Sequence, residues 1–231
     1  MLLNILLLIL VAIVHVLASK MRFLQGEPRS IWLSISGGAS VAYIFLHLLP
    51  KLMEASDKFE VFELELSAYI VALTGLCVMF GLEKYAKQKP AGKENQIFWV
   101  HIVSYGLYNL LIGYLIVDFP DHENEAVMLF SLAIALHFLV NDSGLLQHHK
   151  QLYLKKGKWI IVSMILIGGL LGAITAISED IIHSMEAFLA GGIIMNVLKE
   201  ELPENRRSKY WAFILGVALY SSLLIYLHAI E

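Results

Sequence analysis

Two stretches place coordinating side chains inside otherwise apolar sequence. "LHFLVNDSGLLQHH", Leu136 to His149, carries His137, Asn141 and Asp142 in an apolar run and closes on His148 and His149. "HIVSYGLYN" carries His101 and Tyr105 four residues apart, then Gly106, which permits close helix approach. A helical residue advances about 100°, so His101 and Tyr105 share a face, as do His137 and Asn141, while Asp142 is turned about 140° from His137. Imidazole suits zinc or iron(II), whereas magnesium and calcium want an oxygen shell. Two adjacent helices, each offering a histidine halfway through, could therefore hold one divalent cation. A polar group in hydrocarbon is costly unless paired, so such residues face a protein interior or a water-filled path. They also have plainer uses. His101 and His137 can bond each other or neighbouring helices, Tyr105 can pack, and Asn141 and Asp142 can cap or pair inside a bundle.

The setting for these residues is a membrane. The chain has 231 residues, 58% hydrophobic and only 16% charged, with a mean hydropathy of +0.69, where a soluble domain is nearer a quarter charged. An integral membrane protein is expected. A net charge of −3 offers no basic surface for nucleic acid, and no phosphate loop or dinucleotide fingerprint occurs, so no organic cofactor is expected. The single cysteine, Cys77, lies in an apolar run and is assigned to packing.

Apolar runs long enough to cross about 30 Å of hydrocarbon recur over 2–19, 31–53, 64–86, 97–118, 124–147, 159–178, 181–202 and 209–229. The first ends in Val16, Leu17 and Ala18, like a cleavage site, but lacks a basic leader and is kept as a span. The expected fold is all-α, a single eight-span transmembrane domain over residues 1–231. One side receives Lys20, Arg22, Arg29, Lys84, Lys87, Lys89, Lys93, Lys150, Lys155, Lys156, Lys158, Lys199, Arg206, Arg207 and Lys209, leaving only Lys51 and Lys58 opposite. The positive-inside rule then puts both termini on the non-cytoplasmic side. The outer loops hold acids instead, among them Glu54, Asp57, Glu60, Glu63, Glu65, Asp118, Asp121, Glu123, Glu125, Glu179 and Asp180. Such a surface gathers cations, or simply solvates the loops.

An internal echo appears when the second and seventh spans are aligned on their terminal prolines. Gly38 precedes His47 by nine residues in a span ending "HLLP" at Pro50; Gly191 precedes Glu200 by nine in a span ending "EELP" at Pro203. The two spans run in opposite directions, which suggests an inverted repeat of spans 1–3 and 6–8 around a central pair. That arrangement is common in transporters, with the site near the midplane.

With these motifs in this order, the chain resembles the ZIP (Zrt/Irt-like) divalent-metal transporters over essentially its whole length. "HLLP" at His47 looks like the family's entrance motif. His101 and Gly106 match a His-Asn-x-x-Asp/Glu-Gly pattern, and His137, Asp142 and Gly144 match a His-Glu-x-Pro-His-Glu-x-Gly pattern. "GGLLG", Gly168 to Gly172, is similar to Gly-Ala-Leu-Leu-Gly, and the region of Gly192 with "EELP" fits too. The resemblance implies a 3+2+3 arrangement of eight spans in the plasma membrane, and a metal site drawn from His101, His137, Asn141 and Asp142, with His47 at the entrance. The transported ion would be Zn²⁺ or Fe²⁺.

The chain departs from the family where charge is needed. Ile102 and Tyr105 replace an asparagine and a carboxylate, and Phe138, Val140 and Asn141 replace an acid, a helix-bending proline and a bridging ligand. Ile165 stands at the sixth-span glutamate. A second metal position is therefore absent, and the expectation is weak, single-site binding, because a divalent cation in a low dielectric needs negative charge nearby. Asp142 is the only carboxylate within reach along the sequence.

Other histidines take lesser parts. His183 and Glu186 are entry-side candidates or a solvated helix end; His148 and His149 could receive an exiting metal or simply end a helix; His15 and His228 are assigned no role. Three readings follow: a divalent-metal permease, a binding or regulatory protein that kept the fold and lost transport, and an intramembrane zinc hydrolase. The last needs an open metal position and a carboxylate base, and ranks lowest. The glycine-rich faces of spans six and seven allow tight packing or a homodimer.

Overall fold

The computed structural model describes residues 1–21, 30–58, 66–88, 94–120, 124–201 and 209–230, and every regular element among them is helical. In chain order these are α1 (Leu2–Ala18), α2 (Ile31–Tyr43), α3 (Leu49–Lys58), α4 (Ser67–Lys87), α5 (Glu94–Asp118), α6 (Asn124–Leu152), α7 (Lys158–Ile174), α8 (Glu179–Glu201) and α9 (Tyr210–Ile230). A π turn over Ile44–Leu48 joins α2 to α3, and another over Tyr153–Gly157 leads into α7. Of the residues singled out above, Arg22, Arg29, Glu60, Glu63, Glu65, Lys89, Lys93, Asp121, Glu123, Pro203, Arg206 and Arg207 lie outside the described residues, as do the side chains of Glu54, Asp57, Lys58, Lys87, Glu200 and His228.

Long continuous apolar runs take helical form in hydrocarbon, because a helix satisfies each backbone N–H and C=O within its own segment. Six helical stretches among the described residues are long and apolar enough to cross a membrane. The sequence reading counts eight, and the two differences have physical causes. The first is α1, whose 17 residues reach only about 26 Å at about 1.5 Å per residue. The second is Asn124–Ile174, which runs as 51 residues of nearly continuous helix.

That long run is not a straight rod. His149 leaves helical geometry, with φ −138° and ψ 37°. Phe119 meets Phe130 at one end of α5, and Phe98 meets His149 at the other, so α6 is antiparallel to α5. Gly157 lies against Phe98 and Ile102, and Gly172 against Tyr114, so α7 runs parallel to α5. Residues 124–174 therefore make two antiparallel passes that reverse around His149 to Gly157. The reversal is anchored by Tyr153, fully buried with Phe98, Ile102, Leu145, Leu146 and Ile161. A tyrosine in a turn so rich in lysine is what holds it against the bundle.

Three helix pairs approach closely enough that a side chain would not fit between their backbones. On α5 and α7, a Cβ at Gly113 would overlap the Ile165 carbonyl, and one at Gly168 the Leu110 carbonyl. Between α2 and α9, Gly38 faces the Phe213 carbonyl and Gly216 the Ile35 carbonyl; between α8 and α4, Gly191 faces Ala72 and Gly75 faces Phe188. All three pairs share one register: the carbonyl that faces the neighbouring helix's glycine lies three residues before the helix's own glycine, Leu110 before Gly113 and Ile165 before Gly168, Ile35 before Gly38 and Phe213 before Gly216, Phe188 before Gly191 and Ala72 before Gly75. Two of the three pairs include the helices that carry the sequence echo, α2 and α8. Gly168, Gly172 and Gly191, read earlier as a face for packing or dimerisation, are used within the chain.

Candidate functional site

α1 supplies the first buried polar group. Apart from Asn4 and His15 it is wholly apolar; the two are eleven residues apart, three full turns, and so lie on one face. Asn4 donates to the Val117 and Phe119 carbonyls at 3.3 and 2.8 Å, tying the start of α1 to the end of α5. His15 is 1% exposed, with Nδ1 2.8 Å from Asp142 Oδ2 and Nε2 2.9 Å from Asn109 Oδ1. The Asn109 amide nitrogen donates to the Tyr105 carbonyl at 2.8 Å, so its oxygen is left to accept from His15 Nε2. The Tyr153 hydroxyl lies beside Asp142 on the other side. His15 is the residue the sequence reading left without a role, and it takes the carboxylate that reading had offered to a metal. Its signal was present: a shared face for the only two polar residues of an apolar helix.

His137 heads the second group. It is 2% exposed, and its Nε2 accepts from Asn141 Nδ2 at 3.1 Å and from Asn196 Nδ2 at 3.3 Å. Asn196 also donates to Asn141 Oδ1, closing a three-residue ring across α6 and α8. The shared face predicted for His137 and Asn141 is observed, while Asn196, from α8, was not foreseen. Removing it leaves the buried Asn141 Oδ1 without that donor, while His137 keeps its bond from Asn141. Asn196→Ala is expected to cost about 1 kcal/mol, measured as a lower thermal unfolding midpoint of the purified protein in detergent.

His101 belongs to a third group, in a cleft of about 300 Å³ lined by Glu83, Ser104, Tyr105, Asn196 and Lys199 among others. Glu83 Oε2 is 2.7 Å from Lys199 Nζ and 3.3 Å from His101 Nε2. The His101 ring stacks on Tyr105, centroids 6.0 Å apart and planes at 13°, and lies 5.9 Å from the ring of His149. No hydrogen bond or ring contact joins His101 to His137; what they have in common is Asn196, bonded to one and lining the cleft of the other. Glu83 is a carboxylate the sequence reading passed over, because α4 is remote from α5 and α8 in register and only packing brings its last turns there.

A second cleft, of about 480 Å³, lies toward the other end of the bundle, lined by Tyr43, Lys51, Phe119, His183 and Glu186 among others. Here His183 Nδ1 is 3.4 Å from Glu186 Oε2, and Lys51 Nζ sits 4.9 Å from the Phe119 ring centroid. His47, on the π turn, stacks on Tyr43 with centroids 5.1 Å apart, and its buried Nε2 makes no hydrogen bond. Both clefts use α8: Leu189 and Ile193 line this one, and Met195, Asn196 and Lys199 the first. Beside the second cleft, Tyr108 of α5 fills the space left by Gly192 and donates its hydroxyl to the Leu189 carbonyl.

Chemically, these groups combine imidazoles, amides and three carboxylates, each beside a basic partner, Asp142 by His15, Glu83 by Lys199 and Glu186 by His183. Among the described residues, no group of three or more His, Cys, Asp or Glu is gathered around a common point that could hold a metal ion. Neither the models of known protein families nor the curated proteins contain a match to this chain.

Proposed function

We propose that this chain is a divalent-metal permease of ZIP-like fold, with eight spans, both termini on the non-cytoplasmic side of the plasma membrane, and zinc or iron(II) as its cargo. One observation carries the reading: two clefts, toward opposite ends of the bundle, are both lined by α8. A carrier needs such a layout, because alternating access requires an approach from each side to a barrier thin enough to shift. The sequence echo of Gly38 in Gly191, both of them points of backbone contact, supports an inverted 3+2+3 repeat.

In this reading His47, His183 and Glu186 meet the ion at the acidic face, and His137, Asn141 and Asn196 form the neutral middle. His101 receives it at the basic, cytoplasmic end. Asp142 is held by His15 and acts on the middle group by fixing α6 against α1 and α5. Replacing His101 and His137 together with alanine is expected to lower zinc or iron(II) uptake by about tenfold or more, within the range seen when metal sites lose supporting groups. Uptake into proteoliposomes measures this. Undiminished flux in the double variant would remove His101 and His137 as the proposed site.

A second reading has its own support. Because Lys199 pairs with Glu83 and His15 occupies Asp142, the chain also fits a membrane protein that keeps the fold for binding or regulation without transport. A zinc titration without detectable affinity, together with absent flux, would favour it.

A further inference from the structure

We propose that the cleft of about 480 Å³ toward the acidic end binds a small zwitterion with an apolar body, an apolar α-amino acid, with Lys51 taking its carboxylate and Glu186 its ammonium. The inference goes beyond the permease reading and shares only Glu186 and its neighbour His183 with it.

The lining is the first argument. Small-molecule sites are concavities of about 300–1,000 Å³, mostly apolar, in which a few polar groups fix the orientation of the ligand. Here Tyr43 of α2, Leu48 of the π turn, Leu115 of α5, Phe130 of α6 and Leu189 of α8 all line the cleft, and each is buried. Lys51, His183 and Glu186 line it too but keep partial exposure, Glu186 at 28%. Charge therefore stands at the mouth and an apolar floor lies beneath it. The rings of Tyr43 and Phe130, with centroids 6.4 Å apart, make that floor suited to a branched or aromatic side chain.

Charge is the second argument, because the mouth offers both signs from different helices, Lys51 on α3 and Glu186 on α8. The Lys51 ammonium lies over the Phe119 ring, 4.9 Å from its centroid, and no carboxylate among the described residues pairs with it. An aromatic face is a weaker partner than an anion. Glu186 is touched by His183, one turn earlier on the same helix, through Oε2 alone and at 3.4 Å, where a charge-assisted hydrogen bond closes to about 2.7–2.9 Å. Its other oxygen stays available to an ammonium. A lone anion entering here meets Glu186, with Asp118 close enough to act on it as well, and a lone cation meets Lys51. Only a ligand carrying both signs satisfies the two together. In an α-amino acid both charges sit on one carbon, which leaves the side chain to enter the floor.

The test is calorimetry on the full-length protein in detergent, with a chelator present so that no metal takes part. L-phenylalanine is the probe; phenethylamine lacks its carboxylate, hydrocinnamate its ammonium and free glycine its apolar body. The protein is expected to bind phenylalanine about tenfold or more tightly than any of the three, the usual effect of one bond to a charged group. Lys51→Gln is expected to weaken phenylalanine by about tenfold while phenethylamine binds as before or tighter. Glu186→Gln should weaken phenylalanine equally and spare hydrocinnamate. A crossed pattern of this kind cannot come from misfolding, which would weaken every probe together. No binding of phenylalanine at millimolar concentration, equal affinity for the four probes, or parallel loss of all of them in both variants would overturn the proposal. Metal flux in proteoliposomes is a separate readout: flux without phenylalanine binding keeps the permease reading and removes this site, and binding without flux does the reverse.

Discussion

Replacing His15 with leucine is expected to destabilise the protein by about 3 kcal/mol or more. The substitution leaves Asp142, 1% exposed, without its nearest partner, and strands the Asn109 oxygen as well. Breaking one side of a buried pair is costly because the remaining group is already out of water, while replacing both sides with apolar residues is often close to neutral. The measurement is a thermal unfolding midpoint in detergent, with the double variant His15→Leu/Asp142→Leu as its control. The pair is expected to recover a large part of the deficit. A single variant as stable as the wild type would mean that the contact contributes little to holding α1 on α6.

Gly191→Ala should have an effect of similar size from a different cause. A methyl group there overlaps the Ala72 carbonyl of α4, and backbone cannot turn aside as a side chain can. Helices α8 and α4 must separate, opening the contact at Phe188 and Gly75 and drawing Lys199 from Glu83. Forced overpacking typically costs about 1–3 kcal/mol, and here the expected loss lies at the top of that range. Gly81→Ala on the same helix α4 is the matched control, since no atom lies within 4 Å of the added carbon. It should be neutral or slightly stabilising through helix propensity. Equal unfolding midpoints for the two variants would contradict the close packing of this pair.

These two expectations also mark how far the sequence could be read. Composition and the length of the apolar runs determine that the chain is helical and built for a membrane, because a helix lets a long apolar run bond its backbone within its own segment. Helical periodicity determines that His137 and Asn141 share a face and that Asp142 points elsewhere, and both hold in the fold. The echo of Gly38 in Gly191 is legible too, and both glycines prove to be points of backbone contact.

What lies between helices was decided by tertiary structure alone. Periodicity fixes directions around one axis but not the rotation of a helix against its neighbours, so it could not say that His101 would meet Glu83 and Lys199 while His137 met Asn196. Nor could it say that Asp142 would find His15, more than a hundred residues away. In an apolar bundle each buried polar group must find its own partner, and the nearest one in space is set by which glycines let which backbones touch. That is why His101, His137, Asn141 and Asp142 could be named from the sequence, while His15, Glu83, Asn196 and every pairing had to wait for the fold.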